Sequence, residues 1–173
     1  MIDAVISKTA LPKLLTHLEM RIFAPQIHPY HKPKGSPVNP SQIDLVQTSF
    51  EKIRAQSEKT TELFYQRLFE LDPTIKSLFR GDIKLQGQKL THSFAQIVEG
   101  LKRPETIFVT VIELAKRHGA YGVKSEHYRT FGEAFLWTLE KILGPDYTPE
   151  VKTAWTDAYA LLSSFMIESG KEI

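Results

Sequence analysis

The spacing of hydrophobic residues predicts an all-α domain of roughly six to eight helices. From residue 41 onward, apolar side chains recur every three or four positions, the period that places them on one face of an α-helix. Proline, glycine and polar capping residues mark where helices begin and end. The first predicted helix is capped by Ser41, with Asp44 as its capping-box partner. A second helix over about 60–71 and a short helical turn in PTIKSLF follow it. The remaining predicted helices run from near Asp82 to Lys102-Arg103-Pro104, over about 105–118, from Ser125 to Gly144, and from Thr148 onward.

The first 40 residues follow a different pattern. Apolar residues at helical spacing predict a short amphipathic helix over about 10–23, and the run APQIHPYHKPKGSPVNP after it cannot form a regular helix. We therefore predict an N-terminal extension over 1–40 and a helical domain over 41–173. A helix this short is marginal by itself in water. Packing on the domain or in a homo-oligomer is favoured for it over binding to an anionic membrane surface.

Composition limits the function classes. The chain has 173 residues, of which 42% are hydrophobic and 24% charged, and it has no cysteine, so disulfides and thiolate sites are excluded. The extension carries five basic and two acidic residues, or +3, which leaves −1 of the net +2 for the other 133 residues. A near-neutral body does not favour nucleic-acid binding. No apolar run approaches the roughly 20 residues of a membrane span, and we expect a cytoplasmic protein.

The histidines are candidate metal ligands in this chain, which lacks the metalloprotease, P-loop and nucleophile-elbow motifs. His28 and His31 lie in the proline-rich arm, where two histidines do not complete a site of three or four ligands. His92 is expected on the solvent side of its helix. His118 shares an apolar stripe with Leu114, so its ring is expected on the buried face. By itself, this position suits a core or helix-capping histidine as well as a metal ligand.

Four segments, in order, resemble the globin family. They are FYQRLFELDPTIKSLF, LQGQKL, ELAKRHGAYGVKSEHY and TAWTDAY, and the resemblance covers about residues 41–170. The pattern is most similar to single-domain bacterial globins and to the globin module of flavohaemoglobins, with neuroglobin-like features in the last two helices. The resemblance implies a globin fold, a three-over-three helical sandwich, that holds haem b (iron protoporphyrin IX).

On the proximal side of the haem, the resemblance assigns His118 as the iron ligand and Tyr128 as a tyrosine near that imidazole. A neutral imidazole is a good ligand for haem iron, and a hydrogen bond to its second nitrogen orients the ring. The flavohaemoglobin module also places a glutamate against the imidazole, whereas this chain has Gly170 there and Glu168 two residues away. This departure argues against a strongly electron-donating proximal network. A buried structural role suits Tyr128 equally well.

On the distal side, the resemblance assigns Tyr65 and Gln86 as the catalytic residues that face the bound gas, and Phe79 and Leu90 as apolar residues that pack on the haem. Bound O₂ carries partial negative charge, so hydrogen-bond donors in a dry pocket would stabilise it. The alternatives are an ordinary tyrosine at the rim of an amphipathic helix and a solvated glutamine. Phe79 and Leu90 would suit any core.

The resemblance implies a haem protein that binds O₂ and NO. Its expected reaction is nitric oxide dioxygenation, in which NO, O₂ and one electron give nitrate, and the electron requires an external reductant. Two alternatives are an oxygen carrier, store or haem-based gas sensor without turnover, and a regulatory module of globin fold that has lost haem. The presence of His118 argues against the second alternative.

Overall fold

The computed structural model describes residues 38–79 and 81–170, and the regular structure in that part of the chain is helical, which confirms the predicted all-α class. None of the helices there is long and apolar enough to cross a membrane. The predicted amphipathic helix over 10–23 and the proline-rich arm lie outside the described residues. The α-helices are α1 (Pro40–Arg54), α2 (Ser57–Leu71), α3 (Ile83–Gly100), α4 (Phe108–Ala120), α5 (Ser125–Leu143) and α6 (Pro149–Gly170), with 3₁₀ turns at Pro73–Leu78, Pro104–Thr106 and Gly144–Asp146.

The first helix is capped by Asn39, so the predicted Ser41 cap is wrong. The Asn39 side chain accepts a hydrogen bond from the Gln42 backbone N–H (2.9 Å), and the Gln42 side chain accepts one from the Asn39 N–H (3.0 Å). These two bonds satisfy backbone donors that have no partner within the helix. Asp44, the predicted capping-box partner, instead forms an ion pair with Lys102 (2.9 Å), which ties α1 to the segment after α3.

The other helix boundaries follow the local signals more closely. Helix α3 begins near Asp82 as predicted, and Asp82 caps it, because its carboxylate accepts a hydrogen bond from the Lys84 N–H (2.7 Å). The second helix begins at Ser57, a few residues earlier than predicted. The helix that carries the candidate histidine begins at Phe108, later than predicted, because a separate 3₁₀ turn precedes it, and it continues to Ala120.

The main core lies among α1, α2, α5 and α6, where α2 packs against α5 and α1 packs against α6. Apolar stripes predicted from the sequence meet there, and burial of such side chains is the main favourable term in folding. One buried hydrogen-bond chain also joins the helices: the Trp155 indole N–H donates to the Ser49 hydroxyl (2.9 Å), which donates to the Leu45 carbonyl (2.6 Å). The largest fully buried side chains are Phe64, Leu68, Leu139, Val46 and Thr138.

A second cluster fixes the rotation of α4 against α6. Val111 and Ala115, one turn apart on α4, are buried against Met166 of α6. On a helix with about 100° between residues, His118 lies about 20° from Val111 in angular position. The cluster therefore turns the histidine toward the interior, as the sequence predicted.

Candidate functional site

His118 lies near the end of α4 with its ring half-buried. Its Nδ1 atom is 2.8 Å from the carbonyl oxygen of Leu114, one turn earlier in the helix. A carbonyl oxygen can only accept a hydrogen bond, so Nδ1 carries the proton in a neutral ring. The lone pair is then on Nε2, which is the nitrogen that can bind a metal.

The surroundings of His118 favour the neutral ring. Burial lowers the pKa of His118 below its ordinary value, and the positive charge of Arg117 lowers it further. The hydrogen bond with Leu114 raises this pKa, but by less than burial lowers it. A lowered pKa keeps the imidazole uncharged at neutral pH. The ring is thus both oriented and in the protonation state that metal binding requires.

Tyr128 lies beside His118, with ring centroids 6.4 Å apart and ring planes inclined by 27°. Burial raises the pKa of Tyr128, so its hydroxyl keeps its proton at neutral pH. A cavity of about 280 Å³ borders this tyrosine and is lined by Gly119 and Gly170, among other residues. Because glycine has no side chain, position 170 supplies no carboxylate to the histidine. Gly170 and Tyr128 thus line the same cavity, at a position where the sequence has no carboxylate.

Tyr65 lies on the inner face of α2 and is only 4% exposed, so the rim position considered for it is wrong. Its ring meets the Phe79 ring nearly edge-on, with centroids 5.3 Å apart and an interplanar angle of 78°, and Phe69 packs against both rings. Burial raises the pKa of Tyr65 to about 12. Its hydroxyl is therefore protonated at neutral pH and can donate a hydrogen bond.

Gln86 and Leu90 lie on the inner side of α3. Leu90 packs against the core cluster that contains Tyr65, and Gln86, one turn earlier, is half-buried. The position of α3 depends on Gly87, since a Cβ atom there would lie 2.8 Å from Oγ1 of Thr61 on α2. Only glycine permits this approach of the two helices without a shift. It brings the inner face of α3 close to α2.

The predicted site residues form two groups in the structure. Tyr65 and Phe79 are in ring contact, and Leu90 packs against the same cluster. His118 and Tyr128, whose rings are in contact, form the other group, next to the cluster between α4 and α6. Direct ring contacts thus join Tyr65 with Phe79 and His118 with Tyr128, while Gln86 lies one turn before Leu90 on α3.

Two contributing residues were missed by the sequence reasoning. The Leu114 carbonyl orients His118, and the i, i+4 spacing of these residues on one helix could have indicated it. Thr61 sets how closely α2 approaches α3 at Gly87. No sequence signal indicates that contact, because the two residues lie on different helices.

Comparison with known proteins assigns the fold to a family. A family model described as Globin matches residues 62–166. The chain belongs to the globin family. Among curated relatives, this globin is 26% identical over 136 residues to a flavohemoprotein of Rhizobium meliloti. It is 28% identical over 133 residues to a flavohemoprotein of Bordetella pertussis. Each alignment covers 75% of this chain and 33% of the relative. The globin therefore spans about a third of the length of these relatives.

Solved structures show the same fold. An engineered carbene transferase from Rhodothermus marinus superposes with a TM-score of 0.71 at 23% identity, covering 78% of this chain and 94% of that one. A bacterial globin from Campylobacter jejuni superposes with a TM-score of 0.69 at 24% identity, covering 78% and 97%. The described helices thus form a globin fold, which confirms the predicted architecture.

Membership of the family implies haem binding, and the residues present fit that group. The neutral imidazole of His118 offers Nε2, the kind of nitrogen donor that binds haem iron. Phe79 and Leu90 are half-buried apolar side chains that can cover a porphyrin face. The donor set and the apolar surface together suit an iron porphyrin.

Proposed function

We propose that this globin binds haem b through His118 and supports nitric oxide dioxygenation in a distal pocket that contains Tyr65 and Gln86. The observation that carries the proposal is the combination of an oriented, neutral imidazole with a buried tyrosine that keeps its proton. Haem, when bound, supplies an iron centre that binds diatomic gases and changes its oxidation state. The residues of the chain would then determine how slowly a bound gas dissociates.

On the proximal side, His118 would bind the iron through Nε2. The hydrogen bond from Nδ1 to the Leu114 carbonyl limits rotation of the ring. A neutral carbonyl partner gives the imidazole less anionic character than a carboxylate partner would. Tyr128 packs along the ring and limits its tilt.

On the distal side, Tyr65 is the main proposed donor to a gas that carries partial negative charge. Its side chain is 4% exposed, so water competes little for the hydroxyl. A hydrogen bond of this charge-assisted type is worth about 1.5–3 kcal/mol. Gln86 is half-buried and is proposed as a second, weaker donor.

The proposed reaction converts NO, O₂ and one electron into nitrate. We propose that the electron comes from an external reductant. We also propose that the activity takes place in the cytoplasm of a bacterium. Two comparisons support the reaction class: the curated relatives are flavohemoproteins, and the Rhodothermus marinus protein is assigned as a candidate nitric oxide dioxygenase.

An oxygen carrier, store or gas sensor is the second candidate. The burial of Tyr65 supports both candidates, because slow O₂ release suits storage and sensing as well as catalysis. The two functions differ in their reaction with NO. An enzyme returns to its starting state with a reductant and forms nitrate repeatedly, whereas a carrier does not.

A visible absorption spectrum of the purified protein tests haem binding first. A Soret band that shifts on addition of CO is expected, and its absence would contradict the proposal in favour of a haem-free module. Rapid mixing of the oxygenated protein with NO, in the presence of a reductase, then tests turnover by assay of nitrate. Many cycles are expected, whereas at most one turnover would favour the carrier. Tyr65→Phe should slow the reaction, and Tyr121→Phe, at a position 67% exposed, is the matched control.

A further inference from the structure

Tyr159 of α6 forms a hydrogen bond with the first turn of α5, the turn that carries Tyr128. The Tyr159 hydroxyl donates to the backbone carbonyl oxygen of Tyr128 (2.5 Å). A carbonyl oxygen has two lone pairs, so it can accept this bond in addition to one within its own helix. The two residues are 31 positions apart in the chain and lie on different helices. The bond therefore fixes the beginning of α5 relative to α6.

The Tyr159 ring is held in place by α5 itself. A Cβ atom at Gly132 would lie 2.5 Å from Cε1 and 3.1 Å from Cδ1 of Tyr159, so the ring rests on the bare backbone of this glycine. The Phe131 ring stacks on it, with centroids 5.9 Å apart and planes inclined by 6°, and the Phe135 ring lies at the same centroid distance. Contacts on several sides restrict rotation of the ring. The hydroxyl is thereby directed at the Tyr128 carbonyl.

This hydrogen bond connects two parts of the interior. Tyr159 packs against the main core, whereas Tyr128 packs against the second cluster, between α4 and α6. The Tyr128 ring lies beside the His118 ring, with centroids 6.4 Å apart, and Nδ1 of His118 is 2.8 Å from the Leu114 carbonyl oxygen. A shift of the first turn of α5 would move the Tyr128 ring relative to the imidazole. The proximal group is thus tied to the main core through Tyr159.

We propose that Tyr159 is a positioning residue for the proximal histidine and that it acts through Tyr128. The inference rests on the proposed function, because its effect is on an imidazole that binds haem iron. Without the Tyr159 hydroxyl, the first turn of α5 is held less firmly, and the Tyr128 ring restrains the His118 ring less. The hydrogen bond from Nδ1 to Leu114 is then less well aligned. Loss of such a bond lowers the basicity of a histidine ligand.

The test uses Tyr159→Phe in the full chain loaded with haem, because this change removes the hydroxyl and keeps the ring. The readout is the iron–histidine stretching band in the resonance Raman spectrum of the ferrous protein. The band should move to lower frequency by several wavenumbers and broaden, because the imidazole is a weaker and less uniformly oriented ligand. The Soret band of the ferrous–CO form shows that each variant holds haem.

Thr138→Val is the matched control, because it also removes a buried hydroxyl that donates to a backbone carbonyl of α5. Thr138 is 1% exposed, and its hydroxyl donates to the Ala134 carbonyl (2.8 Å). This variant should lower Tm, as Tyr159→Phe should, but leave the iron–histidine band where it is in the parent chain. A shift of the same size in Thr138→Val would overturn the proposal, since it would show a general loosening of the fold.

A second background separates positioning from a merely structural role. Tyr128→Ala removes the ring but keeps the carbonyl that accepts the Tyr159 bond, so Tyr159→Phe should still lower Tm there but shift the band no further. An unshifted band in the single variant Tyr159→Phe would overturn the proposal, and so would a full additional shift in the Tyr128→Ala background. A parent chain without a haem spectrum would instead contradict the proposed function itself, so the two failures are distinguishable.

Discussion

Replacement of Gly87 by alanine tests the close approach of α2 and α3 that carries the distal residues. A Cβ atom at position 87 would lie 2.8 Å from Oγ1, 2.9 Å from Cβ and 3.2 Å from Cγ2 of Thr61. The Thr61 side chain cannot easily turn away, because its hydroxyl donates to the Glu58 carbonyl (3.0 Å). The overlap involves the short branch of a β-branched residue, so the two helices must move apart.

The expected cost follows from two opposing effects. Alanine in place of glycine within a helix stabilises a protein by roughly 0.5–1 kcal/mol. Carbon atoms pack best at about 3.5–4.0 Å, so the helices must separate by roughly 0.5–1 Å, and overpacking of this kind costs about 1–3 kcal/mol. We expect a net loss in the free energy of unfolding of about 1 kcal/mol, or about 2–4 °C in Tm for a chain of this size.

Urea unfolding of the haem-loaded protein, followed by circular dichroism, measures this change. Gly119→Ala is the matched control, because its added Cβ meets no atom within 4 Å; it should be neutral or stabilise the fold. In a Thr61→Gly background, where the close contacts are absent, Gly87→Ala should change sign and become stabilising. Thr61→Ala should not produce this reversal, because it retains the Cβ at 2.9 Å.

A Gly87→Ala variant as stable as Gly119→Ala would refute the reasoning. It would show that α2 and α3 are not held at the distance described. An unchanged sign in the Thr61→Gly background would show that the cost arises elsewhere. In either case the argument that glycine at position 87 sets the position of Gln86 would fail.

The remaining predictions concern the haem and the extension. His118→Ala should lose stoichiometric haem or regain normal spectra only with added imidazole, and an unchanged ferrous–CO spectrum would contradict this. Tyr65→Phe should speed O₂ release by about tenfold or more, because losing about 1.5–3 kcal/mol exceeds the 1.4 kcal/mol of a tenfold change; stopped-flow rates equal to the parent would show that the hydroxyl points elsewhere. Gln86→Ala should have a smaller effect. Deletion of residues 1–37, which keeps the Asn39 cap, should leave the haem spectrum intact but lower Tm or change the oligomeric state, and loss of haem on truncation would refute this.

Local patterns in the sequence predicted much of the fold, because helix formation depends on residues three or four positions apart. The stripe that contains Val111, Leu114 and His118 predicted the buried face of α4 before any partner helix was known. The beginning of α3 near Asp82 was likewise predicted, since the bond by which Asp82 caps the helix spans only two residues. The resemblance to globins supplied the roles of individual residues, which periodicity alone could not distinguish from those of an ordinary core.

The tertiary structure decided what depends on residues far apart in the chain. It pairs Asp44 with Lys102, where the local pattern predicted a capping role. It buries Tyr65 against Phe79, which raises the pKa of the tyrosine, whereas the sequence left a rim position open as the alternative. It also presses Gly87 against Thr61. The sequence by itself determined which face of each helix is apolar, and only the packing of the helices decided which polar groups those faces enclose, because burial depends on the partner that covers a side chain.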